Sequence, residues 1–309
     1  MINVLFSAAA EAWPEYEAPL RRALSEAGVE ADLRTDFDPA EVDYVVYAPN
    51  GGLSDFRPFT RAKAVLSLWA GVEKIVGNEH LTQPLARMVD HGLTEGMVEW
   101  VTGHVLRHHL GIDGNLAAQT GAWEPKVPPL ARDRKVSILG LGELGAACAQ
   151  ALARLNFDVA GWSRRSKTLD GIACHHGDDG LAAVLGRSEI LVLLLPRTPE
   201  TENILNARTL AQMPQGAVII NPGRGHLIDD EALLAALDSG QIGHATLDVF
   251  RVEPLPADHP YWANPNVTVT PHIASETRPE SASRVIAENI RRGEAGEPFL
   301  HLVDRKAGY

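Results

Sequence analysis

The chain has 309 residues, a formal net charge of −12 at pH 7 and a pI near 5.4. That length allows two domains, each with its own core. The excess of negative charge disfavours nucleic acid or a membrane surface as a partner, because both present anions, and so indicates small-molecule chemistry. No basic region precedes the apolar N-terminal stretch, and the longest apolar run elsewhere, residues 190–195, is too short to span a bilayer. We therefore expect a cytoplasmic protein.

The first part of the chain alternates apolar runs with an amphipathic stretch. Strands are predicted at residues 3–6, 44–47 and 65–69, and a helix at residues 15–27 that Gly28 ends as a C-terminal cap. Such alternation indicates a parallel sheet flanked by helices. The block is expected to end near Gly96, where a helix at residues 97–109 follows.

A second block of the same kind opens after a loop rich in proline and glycine. Its predicted strands are residues 135–139, 158–162, 190–195, 217–221, 245–249 and 267–270. Six strands suit a dinucleotide-binding fold. A last helix at residues 278–292 would carry the tail back to the first block.

A glycine-rich segment, Gly140-Leu-Gly-Glu-Leu-Gly145, follows the strand at residues 135–139 and opens a helical stretch. Gly-x-Gly-x-x-Gly is weak evidence alone, but the strand before it and the helix after it make it specific. Backbone N–H groups and the positive helix end would meet a pyrophosphate, with Gly142 allowing close approach and Gly145 close helix packing. A purely structural turn is the alternative.

The end of the next strand bears on which dinucleotide binds. An acidic residue at this position would bind the ribose 2′-hydroxyl of NAD, but here it is Ser163. Arg164, Arg165 and Lys167 follow, and their side chains suit a 2′-phosphate through charge-assisted hydrogen bonds. The segment favours NADP(H); use of NAD(H), or a solvated surface loop, is the alternative.

Three further residues match the needs of 2-keto acid reduction, which requires a fixed cation for the substrate and a proton donor at the keto oxygen. Arg224 lies between a strand and a helix that Asp229 would cap, and His272 follows the last strand. A carboxylate from Glu253 beside the imidazole would favour its protonated form and orient the ring. Each residue is weak evidence alone, and their joint arrangement carries the prediction.

At these residues the chain resembles the D-isomer-specific 2-hydroxyacid dehydrogenase family over nearly its whole length. The matching stretches are LGLGELG, LLPRTPETENILN, INPGRG, LDVFRVEPLP and TVTPHIAS. The segments WAGVEKI, GMVEWVTGHVL and GWSRR make it most similar to the glyoxylate/hydroxypyruvate reductase A branch.

The resemblance implies an α/β fold of two Rossmann-like or flavodoxin-like domains with parallel sheets and an active site in the cleft between them. Residues 1–96 and 276–309 would form the substrate-binding domain, and residues 97–275 the dinucleotide-binding domain. Arg224 would anchor the keto acid, His272 would donate the proton and Glu253 would support His272. Backbone amides around Trp69, Ala70 and Gly71 would take the substrate carboxylate. The implied cofactor-binding residues are Gly140, Gly142, Glu143, Leu144, Gly145, Ser163, Arg164, Arg165, Lys167, Pro196 and Asp248, the last near the nicotinamide amide.

The expected activity is NADPH-dependent reduction of glyoxylate to glycolate and of hydroxypyruvate to D-glycerate. Trp69 either narrows the pocket for these small acids or offers an aromatic wall to a larger one such as phenylpyruvate. A dinucleotide-sensing regulator with little turnover is the alternative from another class. A phosphorylated substrate would require more basic residues than Arg57 in the loops of the first block.

Two histidine pairs raise metal binding as a hypothesis. His104 and His108 are one helical turn apart, and His175 adjoins His176, but no cysteine or paired carboxylate completes a ligand set, so no metal is expected. In the family the helix at residues 97–109 helps to form a dimer contact, which implies a homodimer with packing roles for residues such as Trp100 and Val101. The two cysteines, Cys148 and Cys174, are expected to be buried thiols.

Overall fold

The computed structural model describes residues 1–121, 123–306 and 308. The chain forms two compact units. Unit 1 comprises Met1–Leu93 and Glu276–Tyr309, and unit 2 comprises Thr94–Ser275. Unit 1 is therefore built from both ends of the chain, whereas unit 2 is contiguous in sequence.

The elements are numbered in chain order. The helices are α1 (Trp13–Glu26), α2 (His91–His109), α3 (Ile112–Ala117), α4 (Glu143–Arg154), α5 (Gly177–Arg187), α6 (Ala207–Leu210), α7 (Asp230–Asp238) and α8 (Pro279–Ala295). The strands are β1 (Ile2–Ser7), β2 (Ala31–Arg34), β3 (Tyr44–Tyr47), β4 (Ala64–Ser67), β5 (Leu85–Ala86), β6 (Lys135–Leu139), β7 (Asp158–Trp162), β8 (Ala173–His175), β9 (Ile190–Leu193), β10 (Ala217–Asn221), β11 (Ile242–Leu247) and β12 (Val267–Val269).

Unit 1 contains a parallel five-stranded sheet in the order β2-β1-β3-β4-β5, which is the flavodoxin-like arrangement. Its central strands β3 and β4 are wholly buried. Helix α1 buries one apolar face, including Leu20 and Leu24, and ends where Gly28 adopts a φ of +70°. Helix α8 adds Ile286 and Ile290 to the same core.

Unit 2 contains a parallel seven-stranded sheet in the order β12-β11-β10-β9-β6-β7-β8. The order runs outward in both directions from β6 and β9, as in dinucleotide-binding folds, and the strand order reverses between these two strands. Ligands of open parallel sheets bind outside the carboxyl ends of the strands at this switch point. The glycine-rich segment follows β6 directly.

The sequence-based strand assignments were incomplete. Among the described residues the second sheet has seven strands, not six, because β8 was not predicted, and β2 and β5 were also missed in unit 1. The three strands are short, and both β2 and β8 lie at sheet edges where few side chains are buried. They therefore lack the apolar run that identified the central strands.

The helix and cysteine predictions agree with the structure only in part. Helix α2 begins at His91, earlier than the predicted residue 97. Both cysteines are free thiols, but only Cys148 is buried, and burial raises its pKa to about 12; Cys174 is partly exposed, contrary to expectation. In the part of the chain that the structure describes, no helix is both long and apolar enough to traverse a membrane.

Candidate active site at the carboxyl edge of the unit 2 sheet

The glycine-rich segment forms a tight turn between β6 and α4. Gly140 has a φ of +104°, and a Cβ there would lie 2.4 Å from the Leu194 carbonyl oxygen, so only glycine fits. A Cβ on Gly145 would lie 1.7 Å from the Gly140 oxygen, which shows how closely the helix packs on the turn. At Gly142 a Cβ would meet no heavy atom of the described residues within 4 Å.

The open space at Gly142 fits a dinucleotide. Gly142 is the N-cap of α4 and, as a glycine, has no side chain with which to cap the helix, so the first N–H groups and the positive end of α4 suit an anion. Glu143 is exposed in the first turn, whereas Leu144 is half-buried and packs against the core. The residues of this turn can therefore hold a pyrophosphate through backbone atoms.

The basic segment after β7 lies beside this turn. Ser163 is buried, and its hydroxyl donates to the Arg165 carbonyl oxygen at 2.8 Å, so it shapes the loop. Lys167 Nζ donates to the Leu141 carbonyl oxygen of the glycine-rich turn at 2.5 Å. Arg164 and Arg165 are exposed, and since β6 and β7 are parallel neighbours, these cations stand at the edge where the turn lies. The cluster suits a phosphate on the ribose of a dinucleotide.

Pro196 follows β9, the strand on the other side of β6. Its carbonyl oxygen accepts a hydrogen bond of 2.7 Å from the Thr201 hydroxyl, and Leu194 N donates to the Leu139 oxygen at 2.8 Å. Pro196 therefore lies in an ordered turn that borders the switch point.

Arg224 lies in the loop between β10 and α7. The buried Asn221 organises this loop as an Asx-type turn: its Oδ1 accepts from Gly223 N at 3.1 Å and its Nδ2 donates to the Arg224 oxygen at 2.9 Å. Arg224 Nη1 donates to the Gly223 oxygen at 2.7 Å. Asp229 caps α7 by accepting from Ala232 N, as predicted from the sequence. Asn221 was not among the residues predicted from the sequence, although an Asn-Pro-Gly run is a signal for such a turn.

His272 and Glu253 form a hydrogen-bonded pair. His272 Nδ1 lies 2.7 Å from Glu253 Oε2, and the other carboxylate oxygen accepts from Phe250 N at 2.8 Å. The imidazole is 51% exposed, so a substrate can reach it. Because Nδ1 is engaged by Glu253, Nε2 is the ring atom left to face a ligand.

The electrostatics of the pair favour a charged imidazole. The hydrogen bond to Glu253 raises the pKa of His272 above its usual value, against burial and the positive charge of Arg224, which lower it. Burial alone would raise the pKa of Glu253, but the hydrogen bonds from His272 and Phe250 and the nearby cations lower it. The site therefore combines an ionised carboxylate with an imidazole that can carry a proton, and the positive charge of Arg224 acts on both groups.

Asp248 fixes the segment that carries His272. Its buried carboxylate accepts from the Thr270 hydroxyl at 2.6 Å and from Ile273 N and Ala274 N at 2.9 Å each. Its carbonyl oxygen accepts from His272 N at 2.8 Å. His272 has a φ of +55°, which is unusual for a residue other than glycine and is held here by these four bonds.

The structure thus brings Arg224, Glu253, His272 and Asp248 to the carboxyl edge of one sheet. Trp69, Ala70 and Gly71 belong to unit 1, where they are half-buried after β4. The Ser67 hydroxyl bridges Trp69 N and the Trp69 oxygen at 3.0 Å each, and Lys74 Nζ lies 5.8 Å from the centre of the indole ring. The turn is therefore ordered within its own unit.

His104 and His108 belong to the packing of the fold, whereas His175 is half-buried and His176 is exposed. His108 Nε2 lies 2.9 Å from the Thr246 hydroxyl, and the ring of His104 lies 4.2 Å from that of Trp100. Val101 is wholly buried in the core of unit 2. Across residues 1–121, 123–306 and 308, no three or more His, Cys, Asp or Glu side chains are grouped so as to hold a metal ion.

Comparison with known proteins gives consistent matches. A family model described as D-isomer specific 2-hydroxyacid dehydrogenase, NAD binding domain, matches residues 103–274, more than half of the chain. The glyoxylate/hydroxypyruvate reductase A of Serratia proteamaculans (strain 568) is 40% identical over 304 residues, which cover 96% of each chain.

Two solved structures have the same fold over the full chain. A D-isomer specific 2-hydroxyacid dehydrogenase from Xanthobacter autotrophicus Py2, in complex with NADPH and MES, is 43% identical with a TM-score of 0.92, and the match covers 100% of this chain and 99% of that one. An NADPH-dependent glyoxylate/hydroxypyruvate reductase from Sinorhizobium meliloti, in complex with NADP and sulfate, is 36% identical with a TM-score of 0.86 and the same coverage.

Proposed function

Because the chain belongs to the D-isomer-specific 2-hydroxyacid dehydrogenase family, we propose that it is an NADPH-dependent reductase of small 2-keto acids, converting glyoxylate to glycolate and hydroxypyruvate to D-glycerate. The observation that carries the proposal is the 2.7 Å hydrogen bond between His272 Nδ1 and Glu253 Oε2, at the sheet edge where Arg224 and the glycine-rich turn also lie. Two of the relatives described above, from Serratia proteamaculans and Sinorhizobium meliloti, are named glyoxylate/hydroxypyruvate reductases.

In the proposed mechanism each of three side chains has one role. Arg224 binds the carboxylate and keto oxygen of the substrate and polarises the carbonyl group. Glu253 orients the ring of His272 and favours its protonated form. The imidazolium then donates the proton on Nε2 to the developing alkoxide. Bound NADPH supplies the hydride for the carbonyl carbon. Glu253 stabilises the imidazolium before transfer and retains the ring orientation after it.

The cofactor is proposed to bind with its pyrophosphate at the glycine-rich turn and its 2′-phosphate at the basic segment. Arg164, Arg165 and Lys167 supply cations there, and Ser163 presents no carboxylate that would repel the phosphate. Asp248 supports the nicotinamide end through the His272 segment that it holds. Backbone amides around Trp69, Ala70 and Gly71 are proposed to bind the substrate carboxylate; the N–H of Trp69 itself donates to the Ser67 hydroxyl.

We also propose a cytoplasmic homodimer. The free thiols of Cys148 and Cys174 fit a reducing compartment. Leu116, Trp123 and Val127 are 61%, 95% and 91% exposed in this chain, which is typical of side chains that a partner covers. Sedimentation of the purified protein at several concentrations tests the dimer, and fractionation of its source cells tests the compartment.

The decisive experiment measures consumption of NADPH and NADH with glyoxylate, hydroxypyruvate, pyruvate and phenylpyruvate in parallel. We expect rapid NADPH loss with the first two acids. Turnover confined to phenylpyruvate would move the substrate to a larger acid, and nucleotide binding without turnover would indicate a sensor.

Variants of two residues test the proposed mechanism. His272→Ala should lower kcat more than it raises KM, whereas Arg224→Ala should impair both. His176→Ala, at an exposed histidine of the same unit, is the matched control and should retain wild-type rates. Wild-type rates in either of the first two variants would contradict the assigned roles.

A further inference from the structure

Arg251 lies in the same loop as Glu253 and connects three segments of unit 2. Its Nη1 donates to Glu202 Oε1 at 3.0 Å, and its Nη2 donates to the side chain of Asn203 and to the carbonyl oxygen of Ile228. Its Nε lies 3.6 Å from Asp230 Oδ2. The side chain is only 28% exposed, so the guanidinium uses its planar fork within a largely enclosed setting.

The segments that Arg251 connects surround the Arg224 loop. Asn203 N donates to the His226 oxygen at 2.9 Å and Leu205 N donates to the Leu227 oxygen at 3.0 Å, so the turn near residue 203 is bonded to the chain just after Arg224. Ile228 and Asp230 continue that chain into α7. The guanidinium therefore joins the Glu253 loop both to the turn near residue 203 and to the segment that follows Arg224.

The two loops also touch through their backbones. A Cβ on Gly225 would lie 2.1 Å from the carbonyl carbon of Phe250 and 2.5 Å from Arg251 N. Phe250 N is in turn the donor to Glu253 Oε1. A displacement of the chain at residues 250–251 would thus reach both Arg224 and the Glu253–His272 pair.

The surrounding charges require a cation at this position. Glu202 and Asp230 are 34% and 28% exposed, and Asp230 also accepts from the Tyr261 hydroxyl at 2.8 Å. Arg197 contacts Glu202 only at 3.5 Å and from a more exposed position. Without Arg251, two half-buried carboxylates, the Asn203 side chain and the Ile228 carbonyl oxygen would lose a donor together.

We propose that Arg251 is a positioning residue for the reduction: its guanidinium holds the Glu253 loop against the Arg224 loop and so sets the geometry of the His272–Glu253 pair and of Arg224. The inference rests on the proposed function for its kinetic consequence, while its structural content, the geometry of the His272–Glu253 pair and of Arg224, does not depend on that function. No local sequence motif marks this role, because it depends on contacts among three separate segments.

The test compares Arg251→Met and Arg251→Lys in the full-length protein with Arg187→Met. Arg187 also forms an ion pair in unit 2, with Asp158, but at the start of β7, the opposite edge of the sheet. With NADPH and glyoxylate we expect kcat/KM to fall about tenfold or more in Arg251→Met, with partial recovery in Arg251→Lys, which restores the charge but not the fork. Arg187→Met should retain wild-type kinetics, and NADPH affinity should be unchanged in all three variants.

An NMR titration of His272 provides a readout independent of turnover. Removing a nearby positive charge would by itself raise the pKa of the imidazole, whereas loss of the Glu253 hydrogen bond would lower it. We expect a lower pKa of His272 in Arg251→Met and a value near that of the wild type in Arg187→Met.

The outcomes separate the two proposals. An unchanged or raised pKa of His272 in a folded Arg251→Met protein, or a kinetic loss equal to that of Arg187→Met, would overturn the positioning role. Wild-type protein that consumes neither nucleotide with any keto acid would overturn the proposed function, yet the titration would still decide whether Arg251 sets the His272–Glu253 geometry.

Discussion

Replacing Gly142 by alanine should separate cofactor binding from folding. Gly142 has a φ of −70° and a ψ of −166°, which alanine adopts without strain, and the new Cβ would meet no heavy atom within 4 Å. Alanine restricts the unfolded chain, which stabilises the fold by about 0.4–1 kcal/mol. It is also a poorer N-cap than glycine by a similar amount, so Tm should change little.

The affinity for the cofactor, unlike the stability, should decrease when this methyl group is added. Gly142 lies where the backbone is proposed to approach the pyrophosphate, so a Cβ there occupies the space of the ligand. We expect the Kd for NADPH to rise about tenfold or more, equivalent to about 1.4 kcal/mol. Isothermal titration calorimetry gives the Kd, and thermal melting followed by circular dichroism gives the Tm.

Gly145→Ala is the matched variant, with the opposite expectation for stability. Its Cβ would lie 1.7 Å from the Gly140 oxygen, a backbone atom that no rotamer change can move. We expect a loss of about 1–3 kcal/mol or more and a clearly lower Tm. Wild-type NADPH affinity in Gly142→Ala would refute the cofactor placement, and a wild-type Tm in Gly145→Ala would refute the packing argument.

Three further predictions concern charge. Because the hydrogen bond to Glu253 raises the pKa of His272, and reduction needs the protonated imidazole, kcat/KM should fall as the pH rises through an inflection above 6.5. Glu253→Gln should move that inflection to lower pH, and an unmoved pH–rate profile would count against the pair. Replacing Arg164 and Arg165 together by alanine should reduce the preference for NADPH over NADH about tenfold or more, measured as the ratio of kcat/KM values; an unchanged ratio would remove the phosphate site. Burial lowers the pKa of His108 to about 3. Between pH 6.5 and 3 the imidazole of His108 is therefore protonated in the unfolded chain but neutral in the folded one. The free energy of unfolding should therefore decrease as the pH is lowered below 6.5, and His108 should account for about 2 kcal/mol of that decrease at pH 5. In urea unfolding, His108→Gln should lose less stability between pH 7 and pH 5 than the wild type.

The central part of the fold was predictable because its signal is local. Strands such as β3, β6 and β9 are buried runs of apolar residues, and the turn after β6 has glycines at the spacing that close packing requires. The edge strands gave no such signal: β2 buries only Leu33, and β8 has no fully buried residue. Their pairing is set by the neighbouring strand, which single-sequence patterns do not contain.

The candidate site also contains residues that the sequence predicted and residues that it did not. Arg224, Glu253 and His272 were predicted as catalytic residues because their residue types and order match the chemistry of keto acid reduction, and these roles stay predictions. Asn221 and Arg251 were not singled out, since each acts through hydrogen bonds whose partners only the fold brings together. The placement of Asp248 near the nicotinamide stays a prediction; the structure adds hydrogen bonds from Asp248 that fix the turn carrying His272.

The composition of unit 1 from both chain ends bears on how the protein is made. On the ribosome, residues 1–93 emerge first, but Ile286 and Ile290, which complete their core, emerge after the whole of unit 2. Unit 2 is contiguous and can fold while synthesis continues. When residues 1–275 have been made, unit 2 is complete in sequence, whereas the core of unit 1 still lacks Ile286 and Ile290 and its apolar face is uncovered there.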